Sequence, residues 1–254
     1  MAIWITGDTH GDFSRLAEGV FPALDRLTKK DCLIVCGDFG GLWQGGSRER
    51  KRLDRLEARP FTTLFVDGNH ENFDRLARYP AEEWHGGLVR RVRPSVLHLM
   101  RGQMFALEGK RIFTMGGAQS HDIQDGVLER SQLMEGDLQR LRHEGARVRV
   151  NHVNWWRQEL PSQEEYRQAR QTLEKNGWQA DYIVTHCAPT SLQQALFQGA
   201  YAPDPLTDFL EEIRQNCRFE AWFFGHYHRD GAVGDKPRYI LLYEQIVELN
   251  KRGD

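Results

Sequence analysis

Short apolar runs alternate with helix-like segments in the first third of this chain, and this alternation strongly limits the folds open to it. The runs are Ile3–Thr6, 33–36 and 63–66, and the helix-like segments are 14–28, 48–57 and 71–78. Four apolar residues are too few for a buried helix but suit a buried strand. Because strands that alternate with helices pair in parallel through right-handed crossovers, the pattern predicts a parallel α/β sheet.

The rest of the chain continues with short strands and longer helices. Strands are predicted at 96–100, 104–107, 111–115, 182–185 and 221–224, a closing hairpin at 239–243 and 246–249, and helices at 129–142, from 162 onward and at 206–216. Ser162 and Glu165 have the spacing of a capping box, which marks a helix start. Two packed sheets with helices outside fit this count best, and a single doubly wound sheet is the alternative.

Length and composition favour one globular domain over residues 1–254. The chain has 254 residues, 40% hydrophobic and 28% charged, which allows a sizeable core. A formal net charge of -2 gives no sign of a nucleic-acid coat or a membrane-surface protein, although a local basic patch is compatible with it. Four cysteines form no C-x-x-C pair and are expected to be buried thiols.

The N-terminus lacks the basic start and apolar stretch of a signal peptide. No apolar run approaches the ~20 residues that a membrane-spanning helix needs. We therefore expect a cytoplasmic protein with no membrane partner.

Polar residues follow five of the predicted strands. The blocks are Gly7-Asp8-Thr9-His10, Gly37-Asp38, Gly68-Asn69-His70-Glu71, Thr185-His186 and Gly225-His226-Tyr227-His228. Ligands of α/β sheets bind at the carboxyl ends of the strands, so these blocks are expected to meet at one edge. The glycines are expected to permit tight or positive-φ turns that swing the next side chain inward.

The side-chain types in these blocks predict a metal site. Asp, His and Asn are oxygen and nitrogen donors that suit Mn²⁺, Fe, Zn²⁺ or Mg²⁺. The candidate ligands are Asp8, His10, Asp38, Asn69, His186, His226 and His228. Seven ligands are too many for one ion and suit two ions that share one ligand, which lie about 3.5–4 Å apart in such sites. Asp38 is the candidate shared ligand, because it stands alone on its strand end and a carboxylate has two oxygens.

The charge of such a centre favours an anionic substrate. Two divalent ions carry four positive charges, and Asp8 and Asp38 remove two of them. The remaining surplus suits a hydroxide and a phosphate group.

The five blocks resemble the calcineurin-like metallophosphoesterase family, whose pattern is D-x-H, G-D, G-N-H-[ED], H and G-H-x-H. All five occur in this order between positions 7 and 228. The resemblance implies a four-layer αββα sandwich, in which two mixed sheets are flanked by helices. It also implies metal-dependent hydrolysis of a phosphate ester, as a phosphomonoesterase or a phosphodiesterase, by a hydroxide at a dinuclear metal centre.

The resemblance further implies a role for each residue. It places one metal on Asp8, His10 and His228 and the other on Asn69, His186 and His226, with Asp38 between them. His70 is then no ligand but the catalytic residue, which contacts the phosphoryl oxygen or protonates the leaving group. Two Mn²⁺ ions are the expected cofactor, with Fe, Zn²⁺ and Mg²⁺ as alternatives.

Two other functions compete with this one: a non-catalytic metal-binding scaffold of the same fold, and a nuclease. A scaffold should lack ligands, and none of the seven is missing. A nuclease should show a large basic surface, which the net charge disfavours. A small phosphorylated molecule or a phosphoprotein is the expected substrate, nucleic acid stays open, and the sequence does not determine the oligomeric state.

A few residues near these blocks have two readings. His121 follows a polar loop and is expected to approach the substrate or to play a surface or supporting part. Trp43 and the pair Trp155-Trp156 either pack or offer a stacking platform. The basic segment 90–94 is either a solvated edge or a contact for substrate phosphate. Loops at 40–47, 84–95 and 118–128 are expected to shape the pocket.

Overall fold

The computed structural model describes residues 1–134, 136–235 and 238–249 and contains two large mixed sheets. The strands are β1 (Ile3–Thr6), β2 (Cys32–Val35), β3 (Thr62–Phe65), β4 (Ala81–Trp84), β5 (Gly87–Arg93), β6 (Val96–Leu99), β7 (Gln103–Leu107), β8 (Lys110–Met115), β9 (Val127–Leu128), β10 (Arg149–Val150), β11 (Tyr182–Thr185), β12 (Ala221–Phe224), β13 (Gly231–Val233), β14 (Arg238–Leu241) and β15 (Ile246–Glu248). The first sheet has the order β15-β1-β2-β3-β6-β5-β4, and the second has the order β13-β14-β12-β11-β8-β7.

The centre of each sheet is parallel and the edges are antiparallel. In the first sheet β1, β2, β3 and β6 run parallel, and in the second β8, β11, β12 and β14 do so. Most of these parallel strands are buried apolar runs, as parallel strands covered on both faces usually are, whereas β14 is only partly buried. The predicted parallel pairing of the first three apolar runs is therefore correct.

In the described part of the chain, six α-helices accompany the sheets. They are α1 (Ser47–Glu57), α2 (Phe73–Leu76), α3 (Asp137–His143), α4 (Gln163–Lys175), α5 (Thr190–Phe197) and α6 (Pro205–Asn216). The predicted capping box starts α4, because the Ser162 hydroxyl accepts from the Glu165 amide at 3.2 Å and the Ser162 amide donates to the Glu165 carboxylate at 2.7 Å. This prediction is confirmed.

Three apolar layers separate the sheets and helices. The central layer joins the inner faces of the two sheets, for example Ile34 and Leu64 with Val184. On the outside of the first sheet lie Leu53 and Leu56 of α1. The outer face of the second sheet packs against residues of α4 and α6. The fold is thus the four-layer αββα sandwich, and the alternative of a single doubly wound sheet is wrong.

The predicted helix at 14–28 is wrong, because the segment forms two short 3-10 turns, Ser14–Leu16 and Leu24–Arg26. Gly19 has a positive φ of 76°, and Pro22 lacks an amide donor, so a continuous helix cannot pass through them. Leu16 and Leu24 are buried nevertheless. Apolar side chains at helical spacing can thus fill a core from irregular backbone.

Two other predicted helices are shorter than expected. The segment 71–78 contains only the single turn of α2, and 129–142 splits into a 3-10 turn, Arg130–Gln132, and α3. Helix α5 was not predicted.

The predicted closing hairpin at 239–243 and 246–249 is also wrong, because β14 and β15 lie in different sheets. Strand β14 pairs with β12 and β13, and β15 pairs antiparallel with β1. The carboxylate of Asp230 accepts from the amides of Tyr243 at 2.8 Å and Gln245 at 3.2 Å. These bonds hold the connecting segment as it crosses from one sheet to the other.

The expected loop at 84–95 is mostly strand β5, which the prediction missed together with β4. Its basic residues are held at the sheet edge: Arg91 pairs with Glu82 at 2.6 Å and Arg93 with Asp54 at 3.2 Å. For these two arginines the solvated-edge reading is favoured. Separately, the four cysteines are free and buried, as predicted. Among the described residues, every helix is too short or too polar to serve as a membrane span.

Replacing Glu211 by glutamine is expected to lower the free energy of unfolding at pH 7 by about 1–2 kcal/mol, a usual value for hydrogen bonds to a charged group. Glu211 joins α6 to α5 by accepting from the amide and hydroxyl of Ser191 at 3.1 and 2.7 Å. Burial raises its pKa, but hydrogen bonds from Arg214 and Ser191 outweigh burial and lower the pKa to about 2.

A lowered pKa in the folded protein stabilises it above the ordinary pKa of about 4.5 and loses this effect as the pH falls toward 2. Urea denaturation from pH 7 to pH 2.5 should therefore show the difference between wild type and Glu211→Gln shrinking below pH 4.5. Glu18→Gln, at an exposed glutamate, is the control. A difference that stays constant with pH would contradict the assigned pKa.

Candidate metal centre

The five polar blocks meet at the carboxyl ends of β1, β2, β3, β11 and β12, as predicted. The first three strands are neighbours in one sheet and the last two are neighbours in the other. Hydrogen bonds across this edge join the two sheets. The amide of His226 donates to Oδ1 of Asp8 at 3.0 Å, and Nδ1 of His186 donates to the carbonyl of Cys36 at 2.7 Å. The site is therefore built from both sheets.

Four of the seven predicted ligands form a compact group. Donor atoms of Asp8, His10, Asp38 and His228 all lie within 4.8 Å of one another. Oδ2 of Asp8 lies 3.2 Å from Nε2 of His228 and 3.8 Å from Nε2 of His10. This oxygen is buried without a hydrogen-bond donor from any residue that the structure describes. A buried carboxylate oxygen without a donor is costly, and a cation would satisfy it.

The remaining three predicted ligands lie on the other side of Asp38. Nε2 of His186 is 3.3 Å from Oδ1 of Asp38 and 3.3 Å from Oδ1 of Asn69. The ring of His226 lies 4.9 Å from the ring of His186. Because Nδ1 of His186 donates a hydrogen bond to the Cys36 carbonyl, Nε2 is the nitrogen turned toward these oxygens. Such a second contact commonly orients an imidazole that binds a metal.

The electrostatics of this group also suit a cation. Burial lowers the pKa of His186, but the carboxylates of Asp38 and Asp8 outweigh burial and raise it to about 9. The carboxylates therefore attract positive charge at Nε2. Burial, together with His186 and His121, holds the pKa of His226 well below its usual range, so this imidazole is neutral. Neutral imidazoles and carboxylates are the donor set that divalent transition metals accept. The residues present fit the group that the sequence implies.

The two oxygens of Asp38 face the two groups separately. Oδ1 lies 3.3 Å from Nε2 of His186, and Oδ2 lies 3.9 Å from Nε2 of His10. Oδ1 also accepts from the amide of His70 at 2.7 Å, which fixes the carboxylate. Asp38 is almost completely buried. Its position agrees with the predicted sharing of this residue between two ions.

Positive φ angles in this site belong mainly to the ligands rather than to the glycines before them. His10, Asp38, His226 and His228 have φ angles of 45°, 45°, 70° and 50°. Such angles cost about 1–3 kcal/mol each in non-glycine residues and gather at functional sites. Gly68 and Gly225 are needed for space instead, because a Cβ there would overlap the carboxylates of Asp38 and Asp8. Of the four glycines expected to permit tight or positive-φ turns, Gly37 has a positive φ of 91°, whereas Gly7, Gly68 and Gly225 do not have a positive φ.

Supporting residues around the ligands were not predicted. Glu71 is buried and accepts from the amide of Phe39 at 2.7 Å, directly after Asp38. Burial and the nearby Asp38 raise the pKa of Glu71 well above the usual value. The Ser120 hydroxyl lies 3.3 Å from Nδ2 of Asn69 and donates to Glu159 at 2.6 Å. Glu71 belongs to a recognised block, but no sequence signal joins Ser120 to Glu159.

His70 and His121 both lie at the site. The ring of His70 is 5.5 Å from that of His10 and lines a cavity beside it. Nε2 of His121 is 2.9 Å from Nε2 of His226, and its ring is 4.6 Å from that of Tyr201. His121 thus stands beside a predicted ligand, in agreement with the expectation that it approaches the site.

Trp156 and Trp43 differ in their surroundings. Trp156 is fully buried and donates from Nε1 to Asp74 at 2.8 Å, so the packing reading is correct for it. Trp43 is half-buried, packs edge-on to Trp156 with the ring centroids 5.5 Å apart, and lines the cavity beside His10.

The chain belongs to the calcineurin-like phosphoesterase family, whose model matches residues 1–230. It is similar to lariat debranching enzyme A of Xenopus laevis, at 27% identity over 146 residues, which are 51% of this chain and 26% of that enzyme. The lariat debranching enzyme of Danio rerio is 25% identical over 145 residues, which are 51% of this chain and 24% of that enzyme. The matched part is thus about a quarter of the length of these curated relatives.

Among solved structures, the phosphopantetheinyl hydrolase of Mycobacterium tuberculosis aligns at 16% identity with a TM-score of 0.47, over 96% of this chain and 90% of that one. Family membership implies metal-dependent hydrolysis of phosphate esters and supports the assignment as a hydrolase. It confirms the resemblance that the five blocks carry. The individual ligand roles remain predictions.

Proposed function

We propose that this protein hydrolyses phosphodiesters at a centre of two divalent cations, with Mn²⁺ as the first candidate. The observation that carries the proposal is the position of Asp38, whose two oxygens face two separate groups of donor side chains. One group contains the buried Asp8 oxygen without a donor among the described residues. A single-ion site would need only one of these groups.

Support for a diester substrate comes from the relatives, which are lariat debranching enzymes and therefore phosphodiesterases. The same matches favour a second candidate function, a nuclease. The matched region is a quarter of those enzymes, and the net charge of -2 favours a small diester over a long nucleic acid.

The roles proposed for the side chains follow their grouping. Asp8, His10 and His228 would hold one ion, Asn69, His186 and His226 the other, and Asp38 both. Bound divalent cations lower the pKa of water from 15.7 to about 7 and so supply hydroxide at neutral pH. The two carboxylates neutralise only half of the four positive charges, which leaves attraction for the phosphate. Positive charge held beside the reacting oxygens stabilises the negative charge that develops on them.

His70 is the proposed catalytic residue besides the ligands. The hydrogen bond from the His70 backbone amide to Asp38 fixes the His70 backbone against the centre. The half-exposed His70 ring lines the adjoining cavity. From this position the imidazole would contact a phosphoryl oxygen or give a proton to the leaving group. A proton donor helps most where the leaving oxygen is strongly basic.

Replacing His70 by asparagine should therefore reduce kcat/KM by about 10²-fold for a diester with an alkyl leaving group, the lower end of the usual range for general acids. The loss should be smaller for p-nitrophenol, which leaves without a proton. The measurement compares mono- and diesters of both leaving groups with Mn²⁺ added. His143→Asn, at an exposed histidine on α3, is the matched control.

Wild type should prefer diesters to the corresponding monoesters by at least about tenfold, ~1.4 kcal/mol in the barrier. A preference for monoesters would overturn the diesterase proposal. Tight metal binding without turnover of any ester would favour the non-catalytic scaffold instead.

A further inference from the structure

A cavity of about 470 Å³ adjoins the candidate metal centre. His10 and His70 form the side toward the centre, and Trp43, Arg48 and Arg52 lie among its other lining residues. Sites for small ligands usually measure about 300–1,000 Å³, so this space is large enough for part of a substrate. Because two residues of the centre line it, a ligand bound at the centre would extend into it.

The side of the cavity formed by α1 is positively charged. All three acidic residues of α1 are paired with cations: Glu49, which itself lines the cavity, with Arg75 at 2.7 Å, Asp54 with Arg93 at 3.2 Å and Glu57 with Lys29 at 4.0 Å. Arg48 and Arg52 are one turn apart on one face of the helix and exposed. Neither forms an ion pair with a carboxylate of the described part of the chain.

Arg52 also lies directly against the loop of the first ligands. A Cβ added at Gly11, the residue after His10, would lie 2.5 Å from Nη1 of Arg52. The guanidinium is therefore next to the predicted metal ligand in space, although it is 42 positions away in the sequence.

The tryptophan of the cavity is held in place before any ligand binds. Oε2 of Glu49 accepts from the amides of Trp43 and Gly45, each at 2.8 Å, and Asn72 donates to the Trp43 carbonyl at 2.8 Å. The indole rests edge-on against the buried ring of Trp156. The loop is therefore fixed, and its half-buried ring is a preformed part of the cavity.

We propose that this cavity binds a second phosphate group of the substrate, through Arg48 and Arg52, with Trp43 beside the attached ring. The inference rests on the proposed function, in which the cations hold the phosphate that is cleaved. Guanidinium groups bind phosphate through paired hydrogen bonds. Indole rings stack on nucleobases regardless of their sequence. The substrate class is a nucleotide with a further phosphate near the scissile one.

Two kinds of nucleotide carry such a phosphate. In a 5′-phosphorylated dinucleotide the second phosphate is one nucleoside away from the scissile phosphodiester. In a dinucleoside triphosphate it is directly joined, so that the bond that water cleaves is a phosphoanhydride and the products are a nucleoside mono- and diphosphate. The first test measures kcat/KM for thymidylyl-thymidine with and without a 5′-phosphate and for a dinucleoside triphosphate, in the Mn²⁺-loaded protein.

For at least one of the two substrates that carry a second phosphate, the kcat/KM of the wild type should be at least tenfold higher than for thymidylyl-thymidine without a 5′-phosphate. In the variant Arg48→Ala/Arg52→Ala this ratio should fall toward one. Arg50→Ala, an exposed arginine on the opposite face of α1 that is not among the cavity residues, should keep the ratio. Whichever of the two substrates shows this arginine-dependent preference, the 5′-phosphorylated dinucleotide or the dinucleoside triphosphate, is the kind of nucleotide that the cavity binds.

A binding experiment separates this inference from the proposed function. A methylphosphonate-linked thymidine dinucleotide, with or without a 5′-phosphate, is titrated into Mn²⁺-loaded wild type and Arg48→Ala/Arg52→Ala by calorimetry. Tenfold tighter binding of the phosphorylated form, lost in the variant, would support the cavity as a phosphate site even if no ester is hydrolysed. Ester hydrolysis with equal wild-type binding of both forms, or with a preference that the variant keeps, would overturn it.

Discussion

The Asp38→Asn variant is expected to lose about 10³-fold in kcat/KM for phosphate esters, or ~4 kcal/mol of transition-state stabilisation. Asparagine keeps the shape of the side chain but removes its negative charge and one acceptor oxygen. Both donor groups of the candidate centre meet at this carboxylate, so the affinity for both ions should fall together. The side chain is almost completely buried.

The measurement pairs kinetics with metal analysis. Wild type dialysed against Mn²⁺ should retain two ions per chain, and Asp38→Asn should retain fewer and turn over slowly. Asp25→Asn makes the same chemical change at an exposed position and should behave as wild type. Full activity of Asp38→Asn with two ions bound would show that Asp38 is not shared.

Asp67→Asn is expected to lower the free energy of unfolding by about 3–5 kcal/mol, the usual cost of leaving a buried charge without its partner. Asp67 accepts from Nε and Nη2 of Arg101 at 2.8 and 2.5 Å and lies 2.8 Å from Nε2 of His98. All three residues are buried. Burial raises the pKa of Asp67, but Arg101 and His98 outweigh it and hold the pKa well below its usual range. The variant would leave the Arg101 charge with only the more distant carboxylate of Glu165, at 3.5 Å.

Urea denaturation of a double-mutant cycle tests this prediction. Asp67→Leu/Arg101→Met removes both charges and should cost less than the sum of the two single substitutions, because neither charge is then left alone. Additive effects, or a loss below about 1 kcal/mol in Asp67→Asn, would argue that solvent reaches the pair. Since Asp67 stands two positions before Asn69, metal content should be measured in parallel.

The convergence of the seven candidate ligands was predictable from sequence because each block directly follows a short buried strand. The residues of β1, β11 and β12 were read with their observed ends, since continuous apolar runs that end in glycine or a polar residue have sharp boundaries. Parallel pairing of such strands then brings their carboxyl ends together.

Other features depend on contacts that local sequence does not reveal. Strands β4 and β5 carry several charged residues, such as Glu82 and Arg91, which pair with each other across the sheet edge. Pairing of β14 and β15 in different sheets depends on Asp230, more than ten positions away from the segment it holds. The Asp67–Arg101 pair spans 34 positions. In each case the deciding interaction is distant in sequence, so periodicity and spacing could not anticipate it.

Division of the candidate ligands between two sheets has a consequence for how the molecule assembles. The first sheet contributes Asp8, His10, Asp38 and Asn69, and the second contributes His186, His226 and His228. During synthesis the four candidate ligands of the first sheet are made more than a hundred residues before the three of the second sheet. Ions bound by the folded protein would then link the two sheets, and their binding energy would add to the free energy that keeps the sheets together.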